Sequence, residues 1–281
     1  DGIVLCFDAM KAVKSIDVND HVAVVEPGLT LRELDDVLSA TGLHYPVYPG
    51  EMSGSLGGNI NTNAGGMRAV RHGVTRQHVL GLEAVLMDGT VLRTGAPVVK
   101  SSSGYDLTQL LVGSEGTLAL VTEITLRLSP RFTNGATVLV PFATLDHVTE
   151  VVPSIVASGL QPSILEYLDV LTMGSVTSRA GLELGVDAAI VEQTLAYLVI
   201  VLETRTREQL DSDLEYLAHH VVVRRGREVV HVADDGPVVR MAFGIEQFRQ
   251  HLAFRDAVRA VLQALAPLVR SEEHTSELQS R

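Results

Sequence analysis

The sequence predicts an α+β protein with two domains. The chain has 281 residues, enough for two domains of ordinary size. Apolar residues alternate in some segments and recur every three to four positions in others, which indicates both strands and helices. In the second half, the mixture of strand and helix segments favours an α+β sandwich. We therefore expect a first domain over residues 1–133 and a second over residues 134–270.

The first predicted elements are a strand and a helix. His21 to Val25 alternates loosely and ends at Pro27-Gly28, which is typical of a strand entering a turn. Thr30 and Glu33 have the spacing of a capping box, in which each side chain binds the other residue's backbone N–H group. Apolar residues then recur at helical spacing until Gly42, which predicts one helix with a glycine stop.

A hairpin and a long strand are expected next. Leu80 to Gly95 predicts two strands joined by a type I′ turn at Asp88-Gly89. Further on, leucines and an isoleucine fall on even positions, so one face of a strand should be buried. These residues are Leu118, Leu120, Ile124, Leu126 and Leu128. Ser129-Pro130 should close the first domain.

The second half predicts strands and helices in mixed order. A helix around Leu145 to Ile155 should stop at Gly159, and Thr206 to Gln209 has the spacing of another capping box. The remaining predictions are strands at Val138–Pro141, Ile164–Leu168, Leu195–Leu202 and Val221–Val230, and a helix at Glu246–Leu265.

Composition excludes several classes of protein. The formal charge of −12 argues against nucleic-acid binding, which needs a basic face. No apolar run approaches the roughly 20 residues that span a bilayer, which leaves peripheral membrane association open. The single cysteine, Cys6, excludes an internal disulfide and a cysteine-based zinc site, and we expect the reducing cytoplasm. The ten histidines show no metal-site spacing, so we expect no metal.

Both ends of the chain are unusual. The chain opens with Asp1 to Leu5, a sequence typical of the middle of a strand, without an initiator methionine. The polar tail over residues 271–281 resembles the translation of a sequencing adaptor, and we expect it to be an assembly remnant. From these features we expect a fragment truncated at both ends.

The most informative features are two segments rich in Gly, Ser and Asn, at Pro49–Gly66 and Gly113–Leu118. Such segments should not contribute to a core. Glycine serves where the backbone needs a positive φ or where another group approaches the main chain closely. The plain alternative is a pair of tight surface turns. We favour a binding surface for a large, flat, polar ligand of the nucleotide type.

An ordered series of motifs resembles a known family. Gly57–Gly66 is followed by Arg71-His72-Gly73, then by Lys100–Leu107 and by Gly113–Leu118, which leads into Val121-Thr122-Glu123. This series is similar to the FAD-linked oxidases related to vanillyl-alcohol oxidase. The similarity is greatest to the branch of the glycolate oxidase D-subunit, D-lactate dehydrogenase and D-2-hydroxyglutarate dehydrogenase. It is strong over the first half, and only Glu166–Asp169 resembles the family in the second.

The resemblance implies a PCMH-type FAD-binding domain, incomplete at its N-terminus, followed by a ferredoxin-like cap domain that is incomplete at its C-terminus. It implies FAD as cofactor and oxidation of a D-2-hydroxy acid by hydride transfer to flavin N5, with an electron acceptor that is not specified. The proton would pass to a histidine beyond the C-terminus. The residues that match the family's flavin-contacting positions are Pro49, Gly50, Ser53, Leu56, Gly57, Gly58, Asn63, Gly65, Gly66, Glu115, Gly116, Leu118 and Val121. Alternatives within the family are an alcohol oxidase or an alkyl transferase, and the fragment itself could be inactive.

A basic cluster lies between the two Gly-rich segments. Arg68, Arg71 and Arg76 stand close together in an otherwise acidic chain, and a solvated face is the default interpretation. The alternative is that Arg71 pairs with a substrate carboxylate or a cofactor phosphate. His72 stands where the family usually has tyrosine, and with Arg71 it is the only catalytic candidate that this chain offers.

Overall fold

A computed structural model describes residues 2–181 and 188–223, and the chain divides into two compact units. One unit extends to Arg131 and the other begins at Phe132. The α+β class is confirmed, since each unit combines antiparallel strands with helices.

The first unit is built on a five-stranded antiparallel sheet in the order β1-β2-β6-β4-β5, beside a small pair of strands, β3 and β7. Its core lies between the larger sheet and the helices α1 and α2. In chain order the elements are β1 (Val13–Asp17), β2 (Val22–Val25), α1 (Leu31–Leu38), β3 (Leu43–His44), α2 (Leu56–Thr62), α3 (Ala69–His72), β4 (Val79–Val85), β5 (Val91–Gly95), α4 (Leu107–Leu111), β6 (Leu120–Arg127) and β7 (Ser129–Pro130).

The capping box of α1 is confirmed. The Thr30 N–H donates to Glu33 Oε2 at 2.8 Å, and the Glu33 N–H donates to Thr30 Oγ1 at 3.2 Å. Both donors lie at the helix start and would otherwise have no partner within the helix. After a short 3-10 turn, Gly42 takes a left-handed conformation (φ 72°) that ends the helical segment.

The hairpin of β4 and β5 is confirmed, but its predicted turn type is wrong. A type I′ turn needs positive φ at both central residues, and Asp88 is not among the residues with positive φ. Instead the Gly89 N–H donates to the Leu86 carbonyl at 3.0 Å, and the Leu86 N–H donates to the Thr90 carbonyl at 2.9 Å. Only Gly89 is left-handed (φ 86°), so the connection is longer than a two-residue turn.

A bulge corrects the prediction for β6. Glu123 pairs with Glu83 and Val121 pairs with Ala84, so Thr122 is an extra residue in this strand. An extra residue reverses which side chains face inward. Ile124, Leu126 and Leu128 are buried as predicted, whereas Leu118 is 45% exposed and Leu120 is only partly buried. Ala119 and Val121 take the inward positions.

The second unit is a three-stranded antiparallel sheet in the order β8-β10-β9 with helices on both faces. α5 and α8 cover one face through the main apolar core, and Met173 of α6 packs on the other face. The described elements are β8 (Asn134–Phe142), α5 (Leu145–Ala157), β9 (Ile164–Asp169), α6 (Val170–Ala180), α7 (Ala188–Gln193), β10 (Ala196–Thr204) and α8 (Arg207–Val223).

Two differences from the sequence predictions concern this unit. The predicted strand Val221–Val230 is wrong at its start, because Val221 to Val223 form the last turn of α8. Its remainder, the helix Glu246–Leu265 and the tail 271–281 lie outside the described residues. Sequence periodicity did not predict α6, which begins where the Asp169 carboxylate accepts the Thr172 N–H at 2.7 Å.

Across residues 2–181 and 188–223, no helix combines the length and apolar character needed to cross a membrane.

Candidate functional site

The two Gly-rich segments lie side by side in the first unit. The Gly113 N–H donates to the Ile60 carbonyl at 2.9 Å, and the Glu115 N–H donates to the Asn61 carbonyl at 2.8 Å. The second segment is therefore hydrogen-bonded along the C-terminal end of α2. Because these contacts are between main-chain groups, they hold the segments together without filling the outer surface with side chains.

The first segment is partly helix and partly core, so the expectation that it cannot contribute to a core is wrong. α2 begins after Ser55, whose hydroxyl accepts the Gly58 N–H at 3.2 Å. Leu56 and Ile60 are fully buried. A Cβ on Gly57 would lie 2.8 Å from Pro27 Cβ, so this glycine lets the helix approach the preceding turn.

The end of the first segment is packed as tightly. A Cβ on Gly66 would lie only 1.7 Å from the Tyr48 carbonyl oxygen, so a side chain has no space there. A Cβ on Gly65 would lie 3.0 Å from Val74 Cγ1. Asn63 ends α2 in a left-handed conformation (φ 50°). These glycines have structural reasons that do not require a ligand.

Gly58 has a weaker structural reason, a single contact with a side chain. It is exposed within α2 at a φ outside the left-handed region, and a Cβ there would meet only Ser55 Oγ, at 3.2 Å. Glycine at an exposed helix position costs about 0.5–1 kcal/mol relative to alanine. In the other segment, Gly116 (φ 73°) is also exposed, and a Cβ there would have no atom within 4 Å. Main chain is therefore exposed at one glycine in each segment.

The residues matched to the flavin-contacting positions fall into three groups. Exposed residues are Ser53, Gly58, Glu115, Gly116 and Leu118; partly buried residues are Pro49, Gly50, Asn63, Gly65 and Gly66; and buried residues are Leu56, Gly57 and Val121. The structure brings the two segments together through the bonds of Gly113 and Glu115 to the end of α2. Contact of each residue with a cofactor stays a prediction.

Three histidines pack together inside this unit. The ring centroid of His72 lies 6.2 Å from that of His44 and 6.4 Å from that of His78. His78 Nε2 lies 2.8 Å from the His72 carbonyl oxygen, at hydrogen-bond distance. Burial, followed by the positive charges of Arg71 and Arg68, lowers the pKa of His72 to about 4. Burial also lowers the pKa of His78. Both imidazoles are therefore neutral at pH 7.

The two catalytic candidates, Arg71 and His72, are both partly buried. Nε2 of His72 is buried, and the ring faces the other histidines. Arg71 is partly buried beside His72. A catalytic role for either residue stays a prediction. The default interpretation of a solvated basic face is wrong for Arg76, whose guanidinium donates to the Val112 carbonyl at 3.2 Å.

Glu166 and Tyr167 of the second unit lie on β9. Glu166 pairs with Val199 and Tyr167 with Leu198, so these neighbours point to opposite faces of the sheet. Burial raises the pKa of Glu166. Among the residues that the structure describes, no group of three or more histidine, cysteine or acidic side chains could hold a metal ion.

Sequence reasoning missed the groups that join the two segments. The acceptors are the carbonyls of Ile60 and Asn61, and every residue carries such a carbonyl. Gln109 also contributes, since its side chain donates to the Arg76 carbonyl at 2.9 Å. No residue type signals a main-chain contact of this kind, so sequence alone could not have found it.

Two family models match the chain. The model described as FAD binding domain matches residues 1–95, and the model described as FAD linked oxidases, C-terminal domain, matches residues 133–266. The second match extends over the residues of the second unit.

Curated relatives have related descriptions. An uncharacterised FAD-linked oxidoreductase of Mycobacterium tuberculosis is 52% identical over 76% of this chain and 47% of its own length. Glycolate oxidase subunit GlcD of Bacillus subtilis is 34% identical over 95% of this chain and 53% of its own length. A D-lactate dehydrogenase of Archaeoglobus fulgidus is 42% identical over 60% of this chain and 38% of its own. This chain thus spans about half the length of the first two relatives.

A solved structure shares the fold. Alkyldihydroxyacetonephosphate synthase superposes with a TM-score of 0.63 at 18% identity, covering 75% of this chain and 40% of the synthase. At this identity the likeness concerns the fold alone.

Proposed function

The chain belongs to the FAD-linked oxidases, and from this premise we propose that the protein oxidises a D-2-hydroxy acid of the glycolate or D-lactate type. The family's cofactor is FAD, which accepts a hydride at its flavin ring when bound. The substrate class is supported by the relatives named glycolate oxidase and D-lactate dehydrogenase, at 34% and 42% identity.

One observation supports cofactor binding more than any other. The two Gly-rich segments are joined by main-chain hydrogen bonds, and the exposed glycines at positions 58 and 116 leave main chain open to solvent in each segment. A planar ring needs such a surface to lie against the backbone. In our proposal the exposed faces of Ser53, Gly58, Glu115 and Gly116 hold the cofactor.

This chain's own contribution is to bind and orient. The N–H groups of Ser53, Gly58 and Glu115 already donate within the unit, so these residues offer the ring a fixed surface to lie against rather than free donors. Nε2 of the neutral His72 imidazole is buried, so we assign the uptake of the hydroxyl proton to a group other than His72.

The proposal also covers the partners and the location of the protein. The partner is a small hydroxy acid, and the electron acceptor is a further component that we do not name. We propose a cytoplasmic location because the chain has one cysteine. The likeness to the synthase is confined to the fold and does not favour the transferase alternative.

The test is anaerobic titration of the FAD-loaded protein. D-lactate or glycolate should bleach the visible flavin absorbance, and L-lactate should do so much more slowly. An FAD-loaded protein that no D-2-hydroxy acid bleaches would refute the substrate class. A folded chain that takes up no FAD would instead refute cofactor binding by this chain.

A further inference from the structure

We propose that Arg76 is a positioning residue, which fixes the spacing of the two Gly-rich segments and thereby the affinity for FAD. The inference deepens the proposed function, since it rests on these segments being the cofactor surface. Arg76 itself lies on a short 3-10 turn between the segments in sequence.

Arg76 first fixes the end of the first segment. Its main-chain N–H donates to Asn63 Oδ1 at 2.9 Å. The neighbouring Thr75 adds its N–H and its hydroxyl, which both donate to the Ala64 carbonyl, at 3.0 and 2.8 Å. Asn63 holds a left-handed conformation that glycine would adopt at lower cost, so its side-chain bond offsets a local strain.

Arg76 also fixes the start of the second segment. Its carbonyl accepts the Gln109 side chain at 2.9 Å, and its guanidinium donates to the Val112 carbonyl at 3.2 Å. Val112 is 2% exposed, so its carbonyl lies away from solvent while Arg76 is in place. A charge-assisted bond to a buried carbonyl is stronger than a neutral one, and removing one partner leaves the other unsatisfied.

The spacing at this point is narrow. A Cβ on Gly113 would lie 3.2 Å from Asn63 Cβ and 3.4 Å from Arg76 Nη2. The next contacts along the chain are the bonds from Gly113 and Glu115 to the end of α2. Arg76 therefore bonds to both segments immediately before they meet. Its bonds with Asn63 and Gln109 use main-chain groups that a substitution keeps, so replacing the side chain removes the guanidinium bond to Val112 and should let the second segment move outward.

The experiment compares Arg76→Met with Arg131→Met in the 281-residue chain. Arg131 is a matched control, because its guanidinium also donates to a carbonyl, that of Leu43 at 2.8 Å, and pairs with Asp35, and neither partner belongs to a Gly-rich segment. The Kd for FAD is measured by quenching of flavin fluorescence, and the Tm is measured without FAD. We expect Arg76→Met to raise the Kd for FAD about tenfold or more, because the charge-assisted bond to the Val112 carbonyl is lost. Arg131→Met should keep the Kd within about twofold, well below the change from one such bond, although its Tm falls at least as much.

Two further measurements separate positioning from stability. Arg76→Lys keeps one charged donor and should recover part of the affinity. Amide hydrogen exchange at Gly113 and Glu115 should accelerate in Arg76→Met and not in Arg131→Met, with or without FAD. Equal Kd changes in the two methionine variants, or unchanged exchange at both amides, would overturn the inference. Wild-type protein that fails to take up FAD would overturn the affinity claim together with the proposed cofactor role.

Discussion

The Gly-rich segments of the first unit and the sheet of the second unit are fixed by different forces. Main-chain bonds of Gly113 and Glu115, together with Arg76, hold the segments in place. The central strand β10 of the second unit is instead held between apolar layers on both faces. Apolar packing is shared among many side chains, whereas the segments depend on a few directional contacts. Single substitutions should therefore affect the two regions in different ways.

The largest effect is expected from Gly66→Ala. The new methyl group would lie 1.7 Å from a backbone carbonyl that cannot move without shifting the Tyr48–Pro49 chain. We expect a loss of more than about 3 kcal/mol in the free energy of unfolding of the first unit, in the range of severe overpacking. The free energy of unfolding of each unit is measured by urea denaturation, with hydrogen exchange used to follow the two units separately. A loss below about 1 kcal/mol would show that this segment yields more readily than its contacts imply.

The next effect tests the second unit. Ile200→Ala removes a fully buried side chain from the middle of β10. We expect a loss of about 2–5 kcal/mol, from transfer of the side chain and the remaining cavity. Exchange protection of Gly113 and Glu115 should stay at the wild-type level, since the two units have separate cores. Loss of protection at those amides as well would contradict the contrast between the regions.

The third effect depends on pH. The pKa of His72 is lowered to about 4 in the folded chain, from an ordinary value of 6.5, so folding favours the neutral ring. The resulting stability is present above pH 6.5 and is lost as the pH falls toward about 4, because the unfolded chain then binds more protons. The Tm should decrease over this window. The groups that face His72 are Arg68, Arg71, His44 and His78, and none of them is acidic.

His72→Phe is the control for this pH effect. An aromatic ring that does not titrate replaces the imidazole. The Tm should therefore depend less on pH between 6.5 and 4 than in the wild-type chain. Carboxylates titrate in both proteins, and the difference between the two curves therefore reports His72. Parallel curves would show that burial of this histidine carries no linked protonation.

The smallest effect on stability should accompany a clear effect on binding. Gly58→Ala gains up to about 1 kcal/mol of helix propensity but crowds Ser55 Oγ, so the free energy of unfolding should change by less than about 1 kcal/mol. The Kd for FAD should nevertheless rise, because the methyl group stands on the open surface. Gly57→Ala is the matched control, since its methyl group meets Pro27 and should destabilise the unit. An unchanged Kd for Gly58→Ala would remove this glycine from the proposed surface.

Local patterns predicted several of the regular elements, and contacts between distant residues explain the error in β6. Thr30 and Glu33 gave a correct helix start because both partners lie within one turn. The bulge at Thr122 could not be predicted, since it depends on pairing with β4. Leucine spacing alone therefore placed Leu118 and Leu120 on the wrong side. The position of the two Gly-rich segments was expected from the family resemblance, while the bonds that join them involve groups common to all residues.

Gly57 and Gly58 are adjacent in sequence but have different partners. Gly57 meets Pro27 within the unit, and Gly58 faces outward. In a lineage that had abandoned its cofactor, natural selection would still keep Gly57 for folding, while Gly58 would be free to drift. A homologue substituted only at the second glycine would then be one that no longer binds the cofactor. These two neighbouring positions could therefore distinguish cofactor-binding homologues from those that have lost the cofactor.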